Sequence, residues 1–596
     1  MCRIAGIISR RLTPADSYEK VRIMCRAQKH GGPDDEGIFA DENANLVFGH
    51  RRLSVIDLSN NGHQPMADIK KRAWITFNGE IYNYPELKEL LLKAGAVFYS
   101  ETDTEVILQA YLHWGTAAFA KLRGMFAFAL YDIETSITYL VRDTNGIKPF
   151  YYHIDNDGQL SFSSEVKALK IAGIATVEDE TWPVKLLAFG NIPEPYTTLK
   201  NVFSLPKGSF MAWHHHNSSH VIAPYHITYP KNFITNVDEA EEAIRQALTT
   251  AINRQLIADA PIGVFLSGGV DSSLVTLLAA QQKQQQLKTI SIFFDEKVYD
   301  ESQYQNLIFD RVAGEKFTHL VKQKDFTEHF PQIMDAMDIP TTDGINTWFI
   351  SYYAHCDGLK AVLSGIGADE LFGGYPSFKR IKYLGYLRKL PPVLFKLTNY
   401  FPTDRYRKIA FLTHRHHLAD YLLLRGLFVP ADIAKILDTD IKQVDEILFN
   451  TIPNINLGGY NEAQAAWFET NLFMQNQLLR DTDVMSMSHG LEVRVPFLDE
   501  GLQQVIQSIS PEIRFDRHQP KKLLINSFKE ILPTAIMNRP KMGFTFPLQQ
   551  WMKEHDQISN ENLYKSAAAK KIIRRFHNDQ VHWSKIFALY QVQQHA

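Results

Sequence analysis

Ile262-Gly263-Val264-Phe265-Leu266-Ser267-Gly268-Gly269-Val270-Asp271-Ser272-Ser273 is the stretch that decides the architecture. A near-continuous apolar run ends on a Ser/Gly turn, and residues 272–281 follow as a helix. A strand that is apolar on both faces belongs in a sheet covered on both sides, which means parallel pairing through crossover helices. Working outward, residues 289–294 and 359–363 read as further strands of this kind, and 239–256 as an amphipathic helix. The low-complexity run 282–286 reads as a surface turn. After about residue 375 the pattern is mostly helical, with no repeat.

The turn itself carries chemistry. Backbone amides of a Ser/Gly turn at a helix N-terminus cradle anions, and the helix dipole strengthens the effect. It is not a Walker loop, because the chain contains no Gly-Lys-Ser or Gly-Lys-Thr. Asp271 would repel bound phosphates unless a cation lay between them, which points to magnesium. A second turn, Ser364-Gly365-Ile366-Gly367-Ala368-Asp369, follows another strand. Two such turns at strand C-termini in one parallel sheet face one crevice, where open α/β folds bind ligands, so Asp271 and Asp369 are positioned to share the cation.

The first ~210 residues have a different texture. Residues 46–50, 73–77 and 125–130 are short apolar runs bounded by turn residues or charges, and read as strands. Tyr84-Pro85 opens a helical stretch over 86–93, closed by Gly95. Strands with helices set apart suggest a layered α+β domain. The histidine cluster His214-His215-His216 and His220 has no second ligand set at metal spacing, and reads as a polar hairpin tip or an exposed linker. The division drawn from these textures is 1–212, a linker over 213–235, and 236–596.

Composition narrows the function. Of 596 residues, 45% are apolar and 22% charged, which is ordinary globular usage. A net charge of −3 offers no footprint for a polyanion, so no nucleic-acid partner is expected. No apolar run suggests a membrane span, and the apolar patch at 4–8 is too short for a signal-peptide core. Three cysteines make no disulfide framework, and a reducing, cytoplasmic setting is the simplest reading. Cys2 becomes the N-terminus if Met1 is removed. Its thiol then lies beside a free α-amine of closely matched pKa that serves as general base.

Met1-Cys2-Arg3-Ile4-Ala5-Gly6-Ile7 resembles the start of class II glutamine amidotransferases, and 267–273 resembles the pyrophosphatase loop of ATP-dependent amide synthetases. Together with His30-Gly31-Gly32-Pro33-Asp34-Asp35, 52–57, 77–83, 102–105, 491–499 and Lys541-Met542-Gly543-Phe544, the chain resembles glutamine-hydrolysing asparagine synthetases nearly end to end. The resemblance implies an N-terminal-nucleophile glutaminase of αββα type, followed by an α/β parallel-sheet ATP-pyrophosphatase domain with a helical C-terminal part.

It also implies roles. Cys2 is the glutaminase nucleophile, and Asn78 with Gly79 forms the oxyanion hole. Arg52 binds the glutamine carboxylate, Asp103 and Glu80 its α-amino end, and Leu53, Val55 and Ile56 line the pocket. Leu266 and Ile292 lie on the adenine side of ATP; Ser267, Gly268, Gly269 and Ser272 match the pyrophosphate loop; Ser364 and Gly365 match nucleotide-binding positions. Asp271 and Asp369 are the magnesium ligands, and Lys521 stands near the reacting phosphate, with a solvated helix face as its bland alternative. The implied reaction makes asparagine from aspartate, glutamine and ATP through β-aspartyl-AMP, with ammonia passed between two sites. A homodimer is left open. Three departures stand out. Ile366 replaces an acidic residue beside the intermediate. The run 480–483 differs from the usual basic pattern. Gly31 and Arg3 replace a common arginine and a common glycine. The first raises an alternative: an amidotransferase acting on a different small carboxylate, in polysaccharide or secondary metabolism.

Overall fold

The computed structural model describes residues 2–225, 233–401, 403–450, 453–516, 518–539 and 542–595. The N-terminal part is built on two six-stranded antiparallel sheets. In the first, Arg3–Ile8 is central, between Leu46–Arg52 and Leu160–Ser163. In the second, Ala73–Ile81, Gly124–Asp132, Ile137–Arg142 and Ser209–His214 run side by side.

Successive side chains of a strand point to opposite faces, and Arg3–Ile8 uses both. Ile4 and Ile8 meet Ala127, Ala129 and Leu140 of the facing sheet, whereas Ala5 and Ile7 lie under Val21 and Met24 of the helix Pro14–Ala27. On the far side Phe77 and Phe128 pack beneath the helices Tyr84–Lys93 and Asp103–Trp114. Helix, sheet, sheet and helix stack in that order, so strands of antiparallel sheets are buried on both faces.

The second part is a five-stranded parallel sheet in the order Glu315–Leu320, Lys288–Phe293, Ile262–Phe265, Ala361–Leu363, Glu492–Arg494. Ala361 and Leu363 face the helices Val237–Gln255 and Val270–Lys283, while Val362 faces the opposite core with Phe349. The chain beyond is helical. Among the described residues no helix is long and apolar enough to cross a membrane.

One expectation is corrected. Residues 213–224, assigned to the linker over 213–235, are sheet: Trp213 and His214 end one strand, and Ser219–Pro224 pairs antiparallel with it at the edge. Met211 and Trp213, two apart, are both fully buried, and this period-2 burial fixes the strand. His215 is buried and hydrogen-bonds Thr138 Oγ1 at 2.8 Å, so the histidines form a hairpin tip. Residues 226–232 of the expected linker lie outside the described residues.

Candidate active sites

Cys2 sits at the head of the central strand, almost fully buried, and its backbone N–H donates to Asn78 Oδ1 across the two sheets at 3.2 Å. That contact consumes the acceptor of the Asn78 carboxamide. Its donor, Nδ2, is buried without a hydrogen-bond partner among the described residues. Gly79 follows at φ 150, and a Cβ there would fall 2.0 Å from the Met125 carbonyl oxygen, so no side chain fits. Burial pushes the Cys2 thiol above its ordinary value, against the pull of the Leu53 backbone and of Arg52.

Arg52 ends its strand and is pinned by the following loop. Nη1 donates to the Ser59 carbonyl at 2.9 Å, and Nη2 donates to the Asp57 carbonyl. Gly62 makes the room, since a Cβ there would lie 1.9 Å from Nη2. The same loop carries Leu53, Val55 and Ile56, with Leu53 and Val55 buried. Asp103 opens the helix Asp103–Trp114 and accepts the Ile81 N–H at 2.8 Å. Burial, with the charge of Glu492 adding to it, pushes its carboxyl up to about 7. Glu80 is raised well above the carboxylate range by burial and then by Glu492, with Arg494 opposing. Its Oε1 lies 3.5 Å from Arg494 Nη2. Asn78, Gly79 and Glu80 thus follow one another on the strand Ala73–Ile81, with Cys2 bonded to Asn78 and Asp103 bonded to the Ile81 N–H that ends it.

In the second part, strands Ile262–Phe265 and Ala361–Leu363 are parallel neighbours, so their glycine turns leave the sheet side by side. They touch: a Cβ on Gly365 would meet Asp271 Cβ at 2.9 Å and the Ser272 nitrogen at 3.0 Å. Gly268 takes φ 78, and Gly269 caps the helix Val270–Lys283. Ser267 N–H donates to Ser272 Oγ at 3.2 Å, and the two hydroxyls lie 3.0 Å apart. Ser267, Asp271, Ser364, Ile366, Asp369 and Lys521 line one cavity of about 990 Å³.

Lys521 Nζ lies 2.5 Å from Asp271 Oδ2 and 2.5 Å from Asp369 Oδ1, a buried ammonium between carboxylates from both turns. Burial works against its charge, but the two aspartates raise it above the ordinary lysine value. A solvated helix face is excluded for Lys521. Leu266 and Ile292 are buried in the sheet, and Phe265 lines the cavity beside them. Lys541 lies outside the described residues.

Several residues escaped the sequence reading. Arg539 Nη1 donates to the Gly268 carbonyl at 2.7 Å and pairs with Glu301, bracing the first turn. Glu370, pushed up to about 7 by burial and then by Asp369, accepts from Tyr375 Oη at 2.8 Å. Neither sits in a recognisable spacing. Two departures prove complementary: a Cβ on Gly31 would meet Arg3 Cγ at 2.8 Å, so Arg3 fills the space beside Gly31. Its guanidinium pairs at 2.9 Å with both Glu165 and Asp483, and Lys148 Nζ reaches Asp483 at 2.8 Å. The unusual run 480–483 thus supplies a carboxylate to the Arg3 position.

Residues 243–584 match the family model for asparagine synthase, and residues 1–226 that for a glutamine amidotransferase domain. The chain is 31% identical over 576 residues to glutamine-hydrolyzing asparagine synthetase 1 of Bacillus subtilis, covering 93% of this chain and 88% of that protein. A putative glutamine-hydrolyzing asparagine synthetase of Mycobacterium tuberculosis is 30% identical over 566 residues, covering 90% and 86%. An amidase, chry2, of Gibberella zeae is 26% identical over 589 residues, covering 88% and 84%.

Proposed function

The chain belongs to the asparagine synthase family and carries a glutamine amidotransferase domain, and on that premise we propose that it is an ATP-dependent ligase that transfers the amide nitrogen of glutamine to aspartate. The observation that carries the reading is the pair of separate constellations: a buried Cys2 whose backbone bonds Asn78 and leaves the Asn78 Nδ2 donor without a partner among the described residues, and two touching glycine turns whose aspartates converge on Lys521. We place the division between the sheet edge at Pro224 and the helix start at Val237.

At the first site, removal of Met1 leaves the Cys2 amine to take the thiol proton. Arg52 orients the glutamine carboxylate by a bidentate pair, while Asp103 and Glu80 hold the ammonium. The thiolate attacks the amide carbon, and Asn78 Nδ2 with the Gly79 N–H receives the charge that develops on its oxygen. The Cys2 amine returns the thiol proton to the leaving nitrogen, collapse releases ammonia, and water cleaves the thioester to glutamate and restores the thiol.

At the second, the N–H groups of the 267–272 turn hold the triphosphate. A carboxylate oxygen attacks the α-phosphorus, giving an acyl-adenylate and pyrophosphate, and ammonia then displaces AMP. Asp271 and Asp369 already share one cation, Lys521, so their donor set fits a magnesium ion held by two carboxylates plus phosphates. Held there by Asp271 and Asp369, such an ion would neutralise phosphate charge, and Lys521, between the same carboxylates, would pair with the reacting phosphate. Keeping both centres in one chain limits loss of ammonia to protonation and of the adenylate to water.

Ile366 in the cavity wall supports a second reading, a related amidotransferase acting on a different carboxylate. Purified protein given aspartate, glutamine, ATP and magnesium is expected to yield asparagine, AMP and pyrophosphate. Glutamate release without asparagine rejects aspartate as acceptor, and AMP formation across a panel of carboxylic acids then identifies the true one.

A further inference from the structure

In the helical part that follows the second glycine turn, residues 379–408 contain nine basic side chains and one acidic one, in a chain whose net charge is −3; three of the nine, Lys382, Arg388 and Arg407, are paired with Glu462, Asp420 and Asp432. The same segment exposes large apolar side chains. Phe378, Ile381 and Leu384 bury one face of the helix Pro376–Leu387, and Tyr383 and Tyr386 stand on the other, 70% and 69% exposed. The 3₁₀ turns of Pro392–Tyr400 then present Val393, Leu394, Leu397 and Tyr400, the last 87% exposed. Lys379, Arg380, Lys389, Lys396 and Arg405 are exposed among them. A monomeric fold rarely leaves so much apolar surface uncovered in one place unless something docks on it.

A cavity of about 330 Å³ adjoins this face and shares Asn399 and Phe401 with it. Arg407, Lys435, Lys571, Arg575 and Lys585 line it against two carboxylates, Asp404 and Asp432. Those two are engaged, by Lys585 at 2.6 Å and Arg407 at 2.6 Å. Burial, and after it the charge of Lys585, brings the neighbouring Lys408 down to about 8, as expected where positive charge exceeds negative.

Charge selects the occupant. A second copy docking through the same face would oppose like charges, which disfavours self-pairing. Tyrosine and aliphatic side chains interspersed with Lys and Arg make the pattern that lies in a lipid headgroup layer, apolar groups entering the acyl boundary and cations meeting anionic headgroups. We propose that the face formed by residues 379–401 and 403–406, with the adjoining cation-lined cavity, docks the enzyme on an anionic lipid surface, the cavity taking a phosphate-bearing headgroup.

Vesicle co-sedimentation of the full chain tests this, with phosphatidylcholine alone and with equal parts phosphatidylcholine and phosphatidylglycerol. Binding to the anionic vesicles only is expected. Each Lys or Arg near such a surface contributes about a five-fold change in partition, so Lys389→Gln with Lys396→Gln should weaken binding about twenty-fold. Tyr386→Ser, Leu397→Ser and Tyr400→Ser together should abolish it, and Lys571→Gln with Arg575→Gln should remove the preference for the anionic lipid. Glutamine hydrolysis and pyrophosphate exchange into ATP should both be unchanged in every variant, which shows that both parts of each fold. Equal binding to both vesicles, binding to neither, or variants that bind as wild type overturn the proposal. So does saturable binding of inorganic phosphate without vesicle binding, which reassigns the cavity to a free anion, or concentration-dependent self-association lost with the serine variants.

Discussion

Arg3 and Gly31 divide one buried volume between them, and the division is testable. Arg3→Gly strips Asp483 and Glu165 of a guanidinium at 2.9 Å in a fully buried setting, and breaking such a pair costs about 3–5 kcal/mol. Gly31→Arg alone forces a second guanidinium into space that Arg3 fills. The double variant restores one arginine to one space, so its denaturation midpoint should recover most of the loss seen in either single variant; additive losses would refute the exchange. Asp103 makes a different prediction. Its carboxyl titrates at about 7, well above its ordinary value near 3.9, so it is largely protonated at pH 6 and ionised at pH 8. A substrate ammonium needs the ionised form, so kcat/KM for glutamine should rise with pH through about 7, and Asp103→Asn should lose that limb while keeping any due to the Cys2 amine. The same shift acts on stability in the opposite sense: between about 4 and 7 the unfolded chain gives up a proton that the folded chain keeps, so this group's contribution falls as pH rises. Cys2 could be singled out from its place beside a potential free α-amine, whereas Asn78, Arg52 and Asp103 were named only through the resemblance of the motifs that hold them. The Arg3 exchange was legible in neither way, because it depends on which side chain fills a space, and two substitutions 28 positions apart read as unrelated departures.

The touching of the two glycine turns belongs to the element scale. Parallel strands side by side deliver their C-terminal turns to one edge, and here the turns approach until Gly365 has no room for a methyl group beside Asp271 and Ser272. Gly365→Ala should therefore displace the phosphate-binding turn. We expect pyrophosphate exchange into ATP to fall at least ten-fold while glutamine hydrolysis from Cys2 is unaffected; a loss of both would mean that the damage is global. The parallel sheet was readable because strands buried on both faces are apolar without interruption, and the turns because glycine and serine cluster there. The hairpin of residues 209–224 stayed undecided between a hairpin tip and a linker for the converse reason. Its histidines, asparagine and serines look like a linker, and only the burial of Met211 and Trp213 at every second position gives it away. Element type was thus legible where one physical requirement dominated, and illegible where a polar tip masked a period of two.

On the scale of the whole molecule, one strand of the parallel sheet reaches Glu80, a residue of the proposed glutamine site. Arg494 ends the strand Glu492–Arg494, in register with Leu363, the residue just before the second glycine turn. Its guanidinium donates through Nη1 to the carbonyls of Gln255 and Ile257 at 2.7 Å, pairs with Glu492 at 2.5 Å, and lies 3.5 Å from Glu80. The fork therefore spans a helix end, its own strand and Glu80, which we propose holds the substrate ammonium. The motif 491–499 was visible in sequence, but nothing local to it names Glu80, because a contact over four hundred positions is set by how the two halves pack. Arg494→Lys keeps the charge and loses the fork, so the Glu80 carboxylate should lose its neighbour while the sheet stays paired. We expect KM for glutamine to rise about ten-fold with ammonium-dependent synthesis nearly intact, and glutamate release per AMP formed to climb above one as the two centres fall out of step. If instead both activities decline together and in proportion to a lowered melting temperature, Arg494 is holding the fold and does not tie one site to the other.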